Sequence, residues 1–145
     1  MSLDYQTILV AVDGSAESEL ALQKAIKLAT GDDVKLAIAY VIDNRTAASF
    51  EYYERTFAEE TEKFGVDLLK QYQNAAIDTG LSDVETVLEH GSPKVKLPKD
   101  IATAFNVDLI IARATGINTV ERILIGSVSE NIARRAKCDV LIVRK

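Results

Sequence analysis

The sequence predicts an α/β fold, a doubly wound five-stranded parallel sheet with helices on both faces. Three observations point there. Five short apolar runs alternate with four stretches of helical periodicity, the pattern of repeated strand–helix–strand units. The runs are almost continuously apolar, as strands covered on both faces must be. Right-handed crossovers then restrict the winding, and the order 3-2-1-4-5 sets the first and fourth strands side by side.

The first strand is Thr7-Ile8-Leu9-Val10-Ala11-Val12, stopped by the turn residues Asp13-Gly14-Ser15. Ser15 is placed to cap the next helix, where Glu17 and Glu19 suit the positive end of the dipole. Leu22, Ala25, Ile26 and Ala29 share one face of that helix, and Gly31 is a stop signal. Val34 to Ile42 is the second strand. A long helix is expected over 48–78, with Phe50, Tyr53, Phe57, Phe64, Leu68, Tyr72 and Ala75 as its core stripe. Gly65 marks a kink in it and Gly80 closes it. Val84 to His90 is the third strand, ended by Gly91-Ser92-Pro93. A short helix then reaches Phe105, with Pro98 near its start or kinking it. Val107 to Ala112 and Val140 to Val143 are the fourth and fifth strands. Between them Val128, Ile132 and Ala136 share a face of a helix over 127–137.

Composition narrows the function. The 145 residues are one domain's worth, read as a single domain over 1–145. With 48% hydrophobic and 27% charged residues, the chain is neither disordered nor a disulfide-stapled miniprotein. Its 17 Lys and Arg against 22 Asp and Glu provide no field for nucleic acid or anionic lipid. No apolar run approaches the roughly 20 residues that cross a bilayer, and Met1 to Tyr5 do not begin a signal peptide. One cysteine, Cys138, permits no internal disulfide and no thiol-based zinc site. A cytoplasmic protein without nucleic-acid or membrane partners is expected.

Ligands of doubly wound sheets bind outside the carboxyl ends of the strands, where the winding reverses. Here that means Asp13-Gly14-Ser15 after the first strand and Arg113-Ala114-Thr115-Gly116 after the fourth. After nine intervening residues come Gly126-Ser127-Val128-Ser129-Glu130. Free amides at the start of that helix suit a phosphate. Ser127-Val128-Ser129-Glu130 is equally a capping box, which needs no ligand. Neither G-x4-G-K-[ST] nor a G-x-G-x-x-G after the first strand is present. His90, the sole histidine, falls at the carboxyl edge, where a small hydrolase would use it, yet no G-x-S-x-G accompanies it. Cys138 reads as a small apolar filler, and Lys94, Lys96 and Lys99 as a solvated face.

Gly116-x9-Gly126-Ser127, with Val128-Ser129-Glu130 and the closing Cys138-Asp139-Val140-Leu141-Ile142-Val143-Arg144, resembles the C-terminal signature of the universal stress protein family. Ile8 to Ser15 resembles the family's first strand. His90-Gly91-Ser92-Pro93 and Val107-Asp108-Leu109-Ile110 resemble its third and fourth strand regions. The resemblance implies a Rossmann-like, adenine nucleotide alpha hydrolase-like fold. It implies a stress-associated homodimer paired through the last strand, at Val140, Leu141, Ile142 and Val143. The family's nucleotide-binding branch holds ATP, with or without Mg2+, through G-x2-G-x9-G-[ST]. Carried over by position, Ala11, Val12 and Asp13 border the adenosine, and Val41 meets the adenine through its backbone. Ala114, Gly116, Ile117, Gly126, Ser127, Val128 and Ser129 line the phosphate side.

Arg113 stands where that motif has its first glycine. A backbone that needs positive φ, or bare contact with the ligand, makes Arg113 a block and leaves a dimer without nucleotide. An ordinary strand backbone keeps the site and lets the guanidinium reach a phosphate. No general base or metal-holding acidic pair joins Asp13, so slow or absent turnover is expected.

Overall fold

The computed structural model describes residues 5–30, 33–43, 51–114 and 127–144, with backbone alone at 51–58 and 127. Along the chain come β1 (Thr7–Ala11), α1 (Ala16–Leu28), β2 (Lys35–Ile42), α2 (Glu51–Asp78) and β3 (Val84–His90). Then follow α3 (Pro93–Val95), a π-helical stretch (Lys96–Ile101), α4 (Ala102–Ala104), β4 (Leu109–Arg113), α5 (Ser127–Arg135) and β5 (Asp139–Val143). The strands form one parallel sheet in the order β3-β2-β1-β4-β5, as the apolar runs predict.

β1 is central, and Ile8, Leu9 and Val10 have no exposed surface. Alternate side chains serve opposite faces of the sheet. Ile8 and Val10 pack with Leu22 and Ala25 of α1 and Leu68 and Tyr72 of α2. Leu9 packs on the other face with Leu97, Ile101 and Ile132. Ser15 caps α1 as expected, its hydroxyl accepting the Ser18 amide at 3.1 Å.

Three expectations need correcting. The buried stripe of α2 is Gly65, Leu68, Leu69, Tyr72 and Ala76, while Phe64 and Ala75 are exposed. Leu68 and Tyr72 face the core as expected, whereas Phe64 and Ala75 each fall one residue short of the buried positions; the side chains of Tyr53 and Phe57, and all of Phe50, lie outside the described residues. Gly65 is not a kink, because α2 runs unbroken through it. It permits close packing: a Cβ there would lie 2.7 Å from Tyr40 Cδ2 and 3.0 Å from Leu88 Cδ1. Pro98 falls within the π-helical stretch, where a wider hydrogen-bond register accommodates the donor it lacks. Glu130 pairs with Arg134 at 2.8 Å, while the Ser127 side chain, and with it the capping box, lies outside the described residues. Gly31 lies outside the described residues.

Helix propensity favours Gly65→Ala by up to ~1 kcal/mol. Overpacking against Tyr40 and Leu88 costs about 1–3 kcal/mol and outweighs it. Urea denaturation is expected to show a net loss of about 1 kcal/mol or more, partly recovered when Tyr40→Leu is added.

Candidate functional site

The crevice at the winding reversal lies between the carboxyl ends of β1 and β4. Gly14 adopts φ +86°, turning the chain sharply after β1, and the Phe64 ring occupies the space a Cβ would need, 3.0 Å away. The turn presents Asp13 at the crevice and fixes it there. Asp13 Oδ1 accepts the Ser15 amide at 2.9 Å, and the Asp13 amide donates to Ser18 Oγ at 3.2 Å. Ser18 is fully buried and its hydroxyl donates to the Ser15 carbonyl, so the caps of helix and carboxylate form one network.

Arg113 ends β4 opposite Val143 in an ordinary strand ladder, and it is not among the described residues of positive φ. The backbone condition under which arginine would be strained is therefore not met. Its side chain reaches across the reversal instead. Arg113 Nε donates to Asp13 Oδ2 at 2.8 Å, with the two side chains 29% and 39% exposed. Burial pushes the Asp13 carboxyl up. The hydrogen bonds from Ser15, the Arg113 charge and Ser18 outweigh it and hold the group below its ordinary 3.8.

The other candidate residues divide by what their groups already do. The Ala114 amide donates to the Val143 carbonyl at 2.8 Å, and the Val12 amide to Ala39 at 2.9 Å, so neither N–H faces a ligand. Ala11 closes the β1 ladder against Ala39. Ser129 is nearly buried, and its hydroxyl donates to the Arg113 carbonyl at 2.5 Å, tying α5 to the end of β4. Val128 lies in the first turn of α5, whose leading amides have no intrahelical partner. Gly116, Ile117 and Gly126 lie outside the described residues, as does the Ser127 side chain.

Val41 offers backbone. β2 pairs with β3 as far as Ile42, but with β1 only as far as Ala39. Ala39 directs its carbonyl at Val12, so two residues further on the N–H and C=O of Val41 face the same side, beyond the last β1 rung. One donor and one acceptor of the same residue thus lie in line on that side of β2, on a residue that is itself only 9% exposed.

Sequence reasoning missed Ser18, Tyr40 and Phe64. Ser18 could have been found as a hydroxyl on the otherwise apolar face of α1. Tyr40 and Phe64 meet edge to face at 6.1 Å beside the Asp13 turn, and burial, then the Asp13 charge, keeps the Tyr40 hydroxyl protonated. His90 Nε2 lies 3.1 Å from Glu62 Oε1, and among the described residues no nucleophile bonds to it. Burial, followed by the Asp139 and Asp108 charges, pushes the Cys138 thiol up, which suits an inert filler. Lys96 is ion-paired with Glu89 and Asp100 at 3.6 Å rather than free. No described helix is long and apolar enough to cross a membrane.

A doubly wound parallel sheet in the order β3-β2-β1-β4-β5 defines a Rossmann-like α/β protein. The chain belongs to the universal stress protein family, which it matches over residues 4–144. It is 50% identical over 142 residues to a putative universal stress protein of Staphylococcus haemolyticus, covering 98% of this chain and 86% of the relative. Among solved structures it resembles universal stress protein UspA from Lactobacillus plantarum, with TM-score 0.82, 28% identity and 97% and 98% coverage. A universal stress protein solved in complex with cAMP matches with TM-score 0.71, 29% identity and 97% coverage of both chains.

A lowered carboxyl pKa stabilises the fold above the group's ordinary value, and the contribution is lost as pH falls through the folded value. Wild type is therefore expected to melt above Asp13→Asn near pH 6. The gap should shrink below about pH 3.8, as read by thermal unfolding at both pH values.

Proposed function

We propose that residues 1–145 act as one cytoplasmic universal stress protein domain, a regulatory homodimer that binds ATP and turns it over slowly or not at all. One observation carries this reading: Arg113 bridges to Asp13 across the winding reversal while Ser129 ties the first turn of α5 to the same strand end. Their chemistry fits an adenine nucleotide. Val41 supplies a donor and an acceptor for the base, Asp13 an acceptor for ribose hydroxyls, and Arg113 charged donors for phosphate. Gly116, Ile117, Gly126, Ser127, Val128 and Ser129 are assigned to the phosphate side from the family motif. The relative solved with cAMP, 29% identical to this chain, supports an adenine ligand. Mg2+, where it accompanies the nucleotide, would be held mainly by the phosphates with at most one or two carboxylates.

A second reading has its own observation. The Asp13–Arg113 bridge spans the crevice, as it would in a dimer that no longer takes nucleotide. The pair is too exposed to bar a ligand, because such bridges contribute only about 0.2–1 kcal/mol. A hydrolase centred on His90 has no such support, as Glu62 is its hydrogen-bond partner.

The homodimer is assigned to β5, the open edge of the sheet, where Val140, Leu141, Ile142 and Val143 are only half-buried. Sedimentation at micromolar concentration is expected to give twice the 15.9 kDa chain mass, and a 15.9 kDa species refutes the pairing. Equilibrium dialysis with labelled ATP should show saturable binding, and its absence removes the nucleotide reading. Steady-state hydrolysis above about one turnover per second would make the protein an enzyme after all.

A further inference from the structure

We infer that Arg113 sets the ligand selectivity of this crevice. It latches Asp13 until a ligand replaces both ends of their ion pair, and so favours nucleotides carrying a free ribose diol and a phosphate chain together. The inference rests on the nucleotide reading above.

The two partners are not equally held. Asp13 is a fixed post, with Oδ1 on the Ser15 amide and its own amide on Ser18 Oγ. Arg113 is a movable arm. Its guanidinium has five donors, and its described partners are Asp13 Oδ2 at 2.8 Å and the Ala114 carbonyl at a marginal 3.5 Å. The arm is anchored where it must be for a swing: Ser129 and the β5 ladder hold the backbone of Arg113 while its side chain stays partly exposed. A ligand entering between the strands therefore displaces the arginine, not the aspartate.

What it must then supply follows from charge. Asp13 Oδ2 loses a charged donor, which ribose hydroxyls can replace. Arg113 loses its counter-ion, which a phosphate can replace bidentately. Adenosine satisfies the first and strands the second. Tripolyphosphate satisfies the second and leaves the Asp13 carboxylate facing a polyanion. A 3′,5′-cyclic monophosphate keeps one hydroxyl and one negative charge on a closed ring, so it replaces each end incompletely. ATP replaces both, and Arg113 turns from a competitor into a contact.

The test measures dissociation constants of ATP, cAMP and adenosine for wild type, Arg113→Gly and Arg113→Gln, with circular dichroism to verify folding. Glutamine keeps a side chain compatible with the strand but no charge. Wild type should prefer ATP to both others. In either variant adenosine should tighten about 2–5-fold, because no latch opens. ATP should weaken about tenfold or more, because a charged phosphate contact is gone. The preference for ATP over adenosine thus collapses by roughly 20-fold or more. If both ligands bind and that preference is unchanged in the variants, the latch is wrong and the nucleotide reading stands. Binding that appears only after Arg113→Gly makes the arginine a plug and overturns the latch. If no adenine nucleotide binds any of the three proteins, the nucleotide reading itself falls, and the inference with it. One readout is independent of ligand: the Arg113 Nε–H resonance should be protected from exchange in wild type and lose that protection in Asp13→Asn.

Discussion

The central position of β1 constrains everything else. With β2 on one side, β4 on the other and helices over both faces, its middle residues have no contact with water. Every backbone donor and acceptor there is taken by the ladder, and a charge within it would carry a desolvation cost of several kcal/mol. Polar chemistry is thereby expelled to the strand ends. Asp13 lies just beyond β1, and Arg113 is the last residue of β4. The winding reversal separates the crossovers at this end of the sheet, and the two charges meet there. The location of the candidate site is in this sense a consequence of how the core is buried.

The ion pair gains its meaning from its size. A bridge with both partners about a third exposed contributes at most about 1 kcal/mol. A ligand of micromolar affinity gains about 8 kcal/mol. The bridge can therefore bias which ligand enters without deciding whether one enters. The neighbouring hydrogen bonds matter more to geometry than to stability. Ser15 and Ser18 keep Asp13 aimed at the crevice, and Ser129 keeps the arginine's anchor in place.

Much of this was legible in the sequence because it follows from local pattern. The five strands, their order, the Ser15 cap and the ending of β1 at Asp13 all come from runs of apolar residues and the turn residues between them. The face of α2 was legible at Leu68 and Tyr72 but not at its Gly65 contact, because Phe64 outweighs Gly65 in any hydrophobic count. The true contact depends on how closely Tyr40 approaches, a tertiary fact. Glu130 has a partner one turn ahead in Arg134, a pairing that the S-x-x-E pattern does not report. The Asp13–Arg113 bridge spans one hundred residues of sequence, and no periodicity reports such a pairing. Arg113 could be marked as a departure from the family motif. Which way its side chain turns depends on where Asp13 is held, and that is set by Ser18 from within α1.

The two edges of the sheet are chemically unlike, and the contrast bears on assembly. Exposed strand edges invite pairing, and proteins commonly blunt them with charge. β3 is defended in this way. Glu85 pairs with Lys35 and Glu89 with Lys96 along a single strand. β5 has no such guard within its span. Its one charged residue, Asp139, accepts the Tyr5 hydroxyl at 2.6 Å, leaving four consecutive aliphatic residues half-buried at the open side. An edge of this composition is costly to leave in water, whereas a two-fold copy of itself would bury the same residues and continue the ladder. Because β5 also carries the Val143 carbonyl that fixes Ala114, pairing there would stiffen the backbone from which Arg113 swings. Assembly and ligand selectivity then share one strand pair, β4 and β5.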